Sequence, residues 1–162
     1  MLHFLKKKEE LFLYPPQMGK VVGIEQVPDA AFSSKMMGEG FAVIPEGDEI
    51  FSPASGTISV VTEPSLHAYG ITTDDGLELL VHVGIDTVGM NGEGFTTCVI
   101  PGEHVKCGQL LGSANHALIS QKGFDTHIIV VITNSQRLQS FKINREVVTD
   151  VHAGLFQYAL KK

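Results

Sequence analysis

From Leu66 to Val88 the sequence reads LHAYGITTDDGLELLVHVGIDTV, and it sets two histidines, His67 and His82, in apolar β-rich runs on either side of an Asp-Asp-Gly turn. Two imidazoles that meet can bind a metal, relay a proton, or carry a phosphoryl group on one ring while the other donates a hydrogen bond to it. Whether they meet depends on hairpin register, because facing residues of an antiparallel pair have position numbers with a constant sum. A two-residue turn at Asp74-Asp75 puts His67 opposite His82. One at Asp75-Gly76 puts His82 opposite Tyr69, one diagonal step from His67. Both registers bring the rings to one face, and they are the expectation here; a three-residue turn would separate them.

Alternation along the second strand sends Leu77, Leu79, Val81 and Val83 to one side, the better core candidate, and Glu78, Leu80 and His82 to the other. A lone histidine in an apolar strand is more often a satisfied core residue than a functional one. Two that converge make a site. A zinc hydrolase could use His67, His82 and Asp86, yet the sequence has no HExxH or HxH pair to complete a familiar ligand set. It also has no GxxxxGK[ST] loop and no kinase signature, so a phosphoryl group would have to come from another protein docked on the apolar surface around the histidine.

The elements that must hold such a site are short. Seventeen glycines and seven prolines punctuate 162 residues, and the apolar runs between them last four to eight positions, which favours strands over long helices. Strand-like runs cover Lys20 to Glu25, Phe41 to Ile44, Gly56 to Thr62, Ala68 to Thr73, Leu77 to Val83, Ile128 to Thr133 and Leu155 to Leu160. One short helix is expected at Ala114 to Lys122 with Asn115 as its cap. The architecture is therefore all-β: an antiparallel sandwich or barrel with short helices. An internal echo, Gly38-Glu39-Gly40-Phe41 against Gly92-Glu93-Gly94-Phe95, suggests a duplicated motif. Residues 1–16, ending at Pro15-Pro16, read as a flexible or weakly amphipathic leader, and residues 17–162 as one domain.

Twelve basic against eighteen acidic residues leave a formal charge of −6, a surface that repels a nucleic-acid backbone. With no apolar run of membrane-spanning length and no convincing signal peptide, Cys98 and Cys107 are expected to be reduced, buried thiols.

The stretch Gly76 to Val88 resembles the phosphorylation signature of the glucose-class enzyme IIA proteins of the bacterial phosphoenolpyruvate-dependent sugar phosphotransferase system. The likeness continues through Val27-Pro28-Asp29, Phe32, Lys35 to Phe41, Ser52-Pro53, Gly56-Thr57, His67-Ala68 and Gly92 to Phe95, over residues 18–134. The resemblance implies a cytoplasmic phosphotransferase component with an all-β duplicated fold. In it, Nε2 of His82 accepts a phosphoryl group from the phosphocarrier HPr and passes it to a cysteine on the IIB domain of a sugar permease. By the same resemblance His67 hydrogen-bonds the phosphate, and Ser65 stands for a threonine that orients the phosphoacceptor ring. Asp29 and Asp86 seat basic partner residues, while Phe32, Leu80 and Val88 belong to the apolar docking surface. No cofactor is required, although zinc on His67 and His82 is an accessory option.

Three places depart from the pattern. Ser34 replaces a glutamate, His127 follows Thr126 where proline is common, and residues 112–124 match poorly. A biotinyl- or lipoyl-type carrier would explain Ser52 to Thr57 and Gly102 to Leu111, but the hairpin Thr73 to Gly76 lacks the lysine such a module displays. A regulator that binds other proteins according to its phosphorylation state would carry the same residues.

Overall fold

The structure, a computed structural model, describes residues 9–162. In chain order its strands are β1 (Leu11–Leu13), β2 (Gly19–Gly23), β3 (Glu39–Pro45), β4 (Glu49–Phe51), β5 (Gly56–Val61), β6 (Ala68–Thr73) and β7 (Glu78–Ile85). They continue as β8 (Phe95–Thr97), β9 (His104–Val105), β10 (Leu110–Ala114), β11 (Asp125–Ile132), β12 (Leu138–Ile143), β13 (Val147–Val148) and β14 (Phe156–Leu160). Two short helices, α1 (Ala30–Ser33) and α2 (His116–Gln121), lie between them. The all-β expectation holds, and every pairing is antiparallel.

An eight-stranded sheet in the order β13-β2-β3-β11-β7-β6-β5-β9 is faced by two three-stranded sheets, β1-β14-β12 and β4-β10-β8. The packing follows from strand alternation. Leu79, Val81 and Val83 of β7 and Ile128 and Val130 of β11 point inward, where they meet Leu13, Phe156 and Tyr158 of one small sheet and Ile50, Phe95 and Leu111 of the other. Phe41 and Phe95, the two ends of the internal echo, enter this core from different sheets. The outer face of the large sheet is also apolar in part. There Val22, Ala42, Ile129, Val131 and Leu80 pack beneath Val27 and Phe32 of the segment that contains α1.

Asp29 starts α1 by accepting a hydrogen bond from the Ala31 amide at 2.9 Å, and Asn115 starts α2 by accepting from Leu118 at 3.0 Å, as expected of cap residues. Gly40 allows β3 to lie close to β11, since a side chain there would place its Cβ 1.9 Å from the Val130 carbonyl.

Several expectations need correction. Residues 11–16 are not a flexible leader, because Leu11–Leu13 pairs with β14 and Leu13 is fully buried; residues 1–8 lie outside the described residues. Lys20 to Glu25 is a strand only to Gly23, after which the chain makes a 3-10 turn at Ile24–Gln26. Cys98 and Cys107 are free, as expected, but exposed rather than buried. No helix among the described residues is long and apolar enough to cross a membrane.

The turn between β6 and β7 is tied to the opposite sheet. Tyr158 on β14 donates its hydroxyl to Asp75 Oδ2 at 2.5 Å, and Thr73 donates to Asp75 Oδ1 at 2.5 Å. Burial, and then the Asp75 carboxylate, raise the Tyr158 phenol well above its ordinary range, so it stays a donor. Tyr158→Phe is expected to destabilise the fold by about 1–2 kcal/mol, the cost of leaving a carboxylate without its buried donor, read as a lower urea midpoint at unchanged slope.

Candidate functional site

The β6–β7 turn is not one of the two-residue turns expected. Ala68 faces His82, Tyr69 faces Val81 and Gly70 faces Leu80, and Thr73 and Leu77 close a three-residue loop in which Gly76 has φ +93°. Only a residue that tolerates the left-handed region completes such a loop without strain. Strand alternation in this register would put His67 and His82 on opposite faces. Their rings nevertheless lie 4.9 Å apart, at 84° to each other.

The reason is that His67 precedes β6, which begins at Ala68, so its direction is set by the loop from Thr62 and not by the pleat. Leu66 takes φ +53°, and the His67 carbonyl accepts from the Val83 amide at 2.7 Å. The ring is held through Nδ1, which lies 2.6 Å from the Ser65 hydroxyl and 3.3 Å from the Thr62 hydroxyl. The family resemblance assigns Ser65 to orienting the phosphoacceptor ring. It contacts His67 instead.

His82 projects from β7 onto the outer face of the large sheet, between Ala68 of β6 and Ile129 of β11. Its Nδ1 lies 2.7 Å from the Gly84 carbonyl. A carbonyl can only accept, so Nδ1 carries the proton and, in the neutral ring, Nε2 carries the lone pair. Gly84 can aim that carbonyl because it takes φ +75°; an added Cβ would sit 2.4 Å from Thr87 Cγ2 and 2.9 Å from the Asp125 carbonyl. Thr87 is fully buried and bonded to the Val83 carbonyl at 2.5 Å, which steadies the same turn.

Phe32 meets the His82 ring edge to face at 5.2 Å. At 5% exposure it lies beneath the surface around His82 and does not form its exposed part. Leu80 is half-buried and Val88 is 57% exposed, so these two leave apolar area facing solvent beside the histidine. Asp29 is half-buried at the start of α1, and Asp86 is exposed at φ +62° in the turn after β7. Neither aspartate has a hydrogen bond to His82 among the described residues.

Burial lowers the pKa of both histidines. His67 falls from 6.5 to about 4, first through desolvation and then through repulsion by a charged His82. For His82, desolvation outweighs the Gly84 hydrogen bond and the attraction of Asp29 and Asp86, all of which favour the charged ring. Both imidazoles are thereby kept neutral near pH 7. Below pH 6.5 the unfolded chain takes up a proton at His67 that the folded chain refuses until about pH 4, so stability falls as pH drops through this window. His82 acts in the same direction. Thermal unfolding between pH 7 and pH 4 should show that fall, and His67→Ala should make it shallower.

Among the described residues, no group of three or more His, Cys, Asp or Glu side chains is placed to hold a metal ion. Asp86 therefore does not complete a zinc set with the two histidines, and the hydrolase reading lacks its ligands. The β6–β7 hairpin, Asp74-Asp75-Gly76, displays no lysine for a biotinyl or lipoyl group. Two further residues contribute to the site, Gly84 and Thr62. Gly84 was legible as the glycine two places after His82, whereas nothing local marked Thr62.

Comparison with known proteins matches residues 11–138 to the family described as phosphoenolpyruvate-dependent sugar phosphotransferase system, EIIA 1. The glucose-specific EIIA component of Halalkalibacterium halodurans is 41% identical over 146 residues, 90% of this chain and 83% of that protein. The glucose-specific EIICBA component of Streptococcus pneumoniae is 44% identical over 144 residues, 89% of this chain but only 19% of that longer protein. Among solved structures, the glucose permease IIA from Mycoplasma capricolum superposes with a TM-score of 0.85 at 27% identity, covering 96% of this chain and 99% of the other.

Proposed function

This chain belongs to the EIIA 1 family of the phosphoenolpyruvate-dependent sugar phosphotransferase system, and on that premise we propose that it is a glucose-class phosphocarrier in which His82 is the nucleophile and His67 the stabiliser. The observation that carries the reading is the state of His82. Its Nδ1–H is committed to the Gly84 carbonyl, leaving the Nε2 lone pair for attack, and burial keeps the ring unprotonated.

Phosphoryl transfer needs little covalent help from the protein beyond positioning and charge stabilisation. Nε2 of His82 attacks the phosphorus of phospho-HPr in line. The new N–P bond forms as the bond to the donor histidine of HPr breaks, and that ring regains its lone pair. Once the group sits on His82, an Nε2–H on His67 donates to one of its oxygens and strengthens as charge develops there in the onward transfer. In the second transfer a cysteine thiolate of the IIB domain attacks the same phosphorus, the S–P bond forms, and the N–P bond to His82 breaks. Val88 and Leu80 offer apolar area for docking over Phe32, and Asp29 and Asp86 supply negative charge for basic residues of either partner.

The reaction so written draws on no cofactor. The two histidines would supply only two of the four ligands zinc commonly takes, which makes zinc an accessory at most. Carriers of this chemistry work in the cytoplasm, where phosphoenolpyruvate is made, and that is the location the reading assigns.

Incubation with phosphoenolpyruvate, enzyme I and HPr, followed by intact-mass measurement under alkaline conditions, tests the proposal. One acid-labile phosphate mapped to His82 is expected. A chain that stays unmodified while HPr is phosphorylated would overturn the carrier role and leave regulation by binding as the reading to pursue.

A further inference from the structure

The loop that carries His67 contains more hydroxyl groups than are needed to hold one ring. Ser65 is 5% exposed, and His67 Nδ1, at 2.6 Å, is the one hydrogen-bond partner of its hydroxyl among the described residues. Thr62, at the end of β5, lies 3.3 Å from the same nitrogen. The position of Thr62 is fixed independently of the histidine. Its amide donates to the Ala68 carbonyl at 3.1 Å, its carbonyl accepts from Leu66 at 2.7 Å, and its hydroxyl oxygen accepts from the Ala68 amide at 3.1 Å. With its oxygen occupied by that amide, the hydroxyl has its proton to offer. The choices are His67 Nδ1 at 3.3 Å and the Ala68 carbonyl at 3.4 Å.

Two hydroxyls around one ring nitrogen impose a direction. A protonated Nδ1 would leave the buried Ser65 hydrogen with no acceptor, a costly arrangement. A bare Nδ1 has one lone pair, which accepts from Ser65 at 2.6 Å and is shared, in a longer bond, with Thr62 at 3.3 Å. The single proton of the neutral ring then sits on Nε2.

We propose that Thr62 is a positioning residue for phosphoryl transfer: its hydroxyl, anchored by Ala68, is a second donor to His67 Nδ1 and joins Ser65 in holding His67 in the Nε2–H form. In the reading of His82 as phosphoacceptor, on which this rests, that Nε2–H is the donor to the phosphoryl oxygen. Thr62 touches neither substrate nor phosphate and acts through the ring. Because His67 departs from the strand face that alternation assigns it, its orientation depends on these loop contacts and not on the sheet.

The test is long-range ¹H–¹⁵N correlation of the His67 ring, which reports the nitrogen that carries the proton, in wild type, Thr62→Val, Thr62→Ser and the Thr62→Val/Ser65→Ala double variant. Wild type and Thr62→Ser should show the proton on Nε2. Thr62→Val should show a mixed population, and the double variant should lose the preference. Transfer from phosphorylated His82 to IIB should slow by about threefold to tenfold in Thr62→Val, the range of one hydrogen bond, and Thr62→Ser should restore it. A proton on Nδ1 in wild type overturns the proposal, whether or not any variant folds. An unchanged tautomer and rate in Thr62→Val, or equal impairment in Thr62→Ser, overturns it as well. If wild type never accepts phosphate, the carrier reading fails while the spectra still decide the role of Thr62.

Discussion

His82→Ala is expected to accept no phosphoryl group from phospho-HPr, a loss of at least about 10⁴-fold, comparable with other deletions of a covalent nucleophile. His82 has one ring nitrogen bound to the Gly84 carbonyl at 2.7 Å and one left free, and the neighbouring ring is engaged through its own Nδ1. If the phosphate moved to His67 on loss of His82, the variant would still be labelled, and the assignment of nucleophile and stabiliser would be reversed. Intact mass after incubation with enzyme I, HPr and phosphoenolpyruvate separates these outcomes. Retained thermal unfolding shows that the fold is not at fault, since the ring lies on the outer face beside Phe32 and not in the central core.

His67→Ala is expected to act on the other half of the reaction. The lone pair of His82 survives this change, so the first phosphorylation should proceed to completion. Transfer to IIB should slow by about 10²- to 10³-fold, the usual effect of removing one preorganised donor from a developing oxyanion. Rapid-quench measurement of phosphate moving from the purified phosphoprotein to IIB reads this directly. Equal slowing of both transfers would mean that His67 holds the site together and does not serve as a donor to the phosphate. The pH dependence adds a separate check. With the His67 pKa lowered to about 4, the wild-type ring holds one proton throughout the neutral range, and onward transfer should not titrate near pH 6.5 through this residue.

Much of the fold could be read from local pattern. Leu79, Val81 and Val83 face the core while Leu80 and His82 face outward, because a strand repeats every two residues and burial selects one face. Asn115 begins α2 where a capping residue precedes apolar positions. Other strands carry only weak local signals. β12, LQSFKI, is exposed along nearly its whole length, and β1 is three residues inside what looked like a leader. β1 becomes a strand only because β14 is available to pair with it, and that partner lies at the far end of the chain.

The site divides along the same line. The sequence by itself determined which side chains are available for the chemistry proposed: two histidines flanking a turn, acidic residues nearby, and no loop to cradle a nucleotide phosphate. It also determined that His82 stands on the outer face of its strand. Tertiary structure decided how the histidines meet. The three-residue turn would have parted them had His67 remained in the pleat; a positive φ at Leu66 and the hydroxyls of Thr62 and Ser65 bring the ring back. Tertiary structure also decided which nitrogen of each ring is free, through the Gly84 carbonyl for His82 and the paired hydroxyls for His67. Alternation is a property of consecutive residues and survives in the sequence. Loop direction and tautomer depend on hydrogen bonds whose geometry exists only once strands β5, β6 and β7 have been laid side by side.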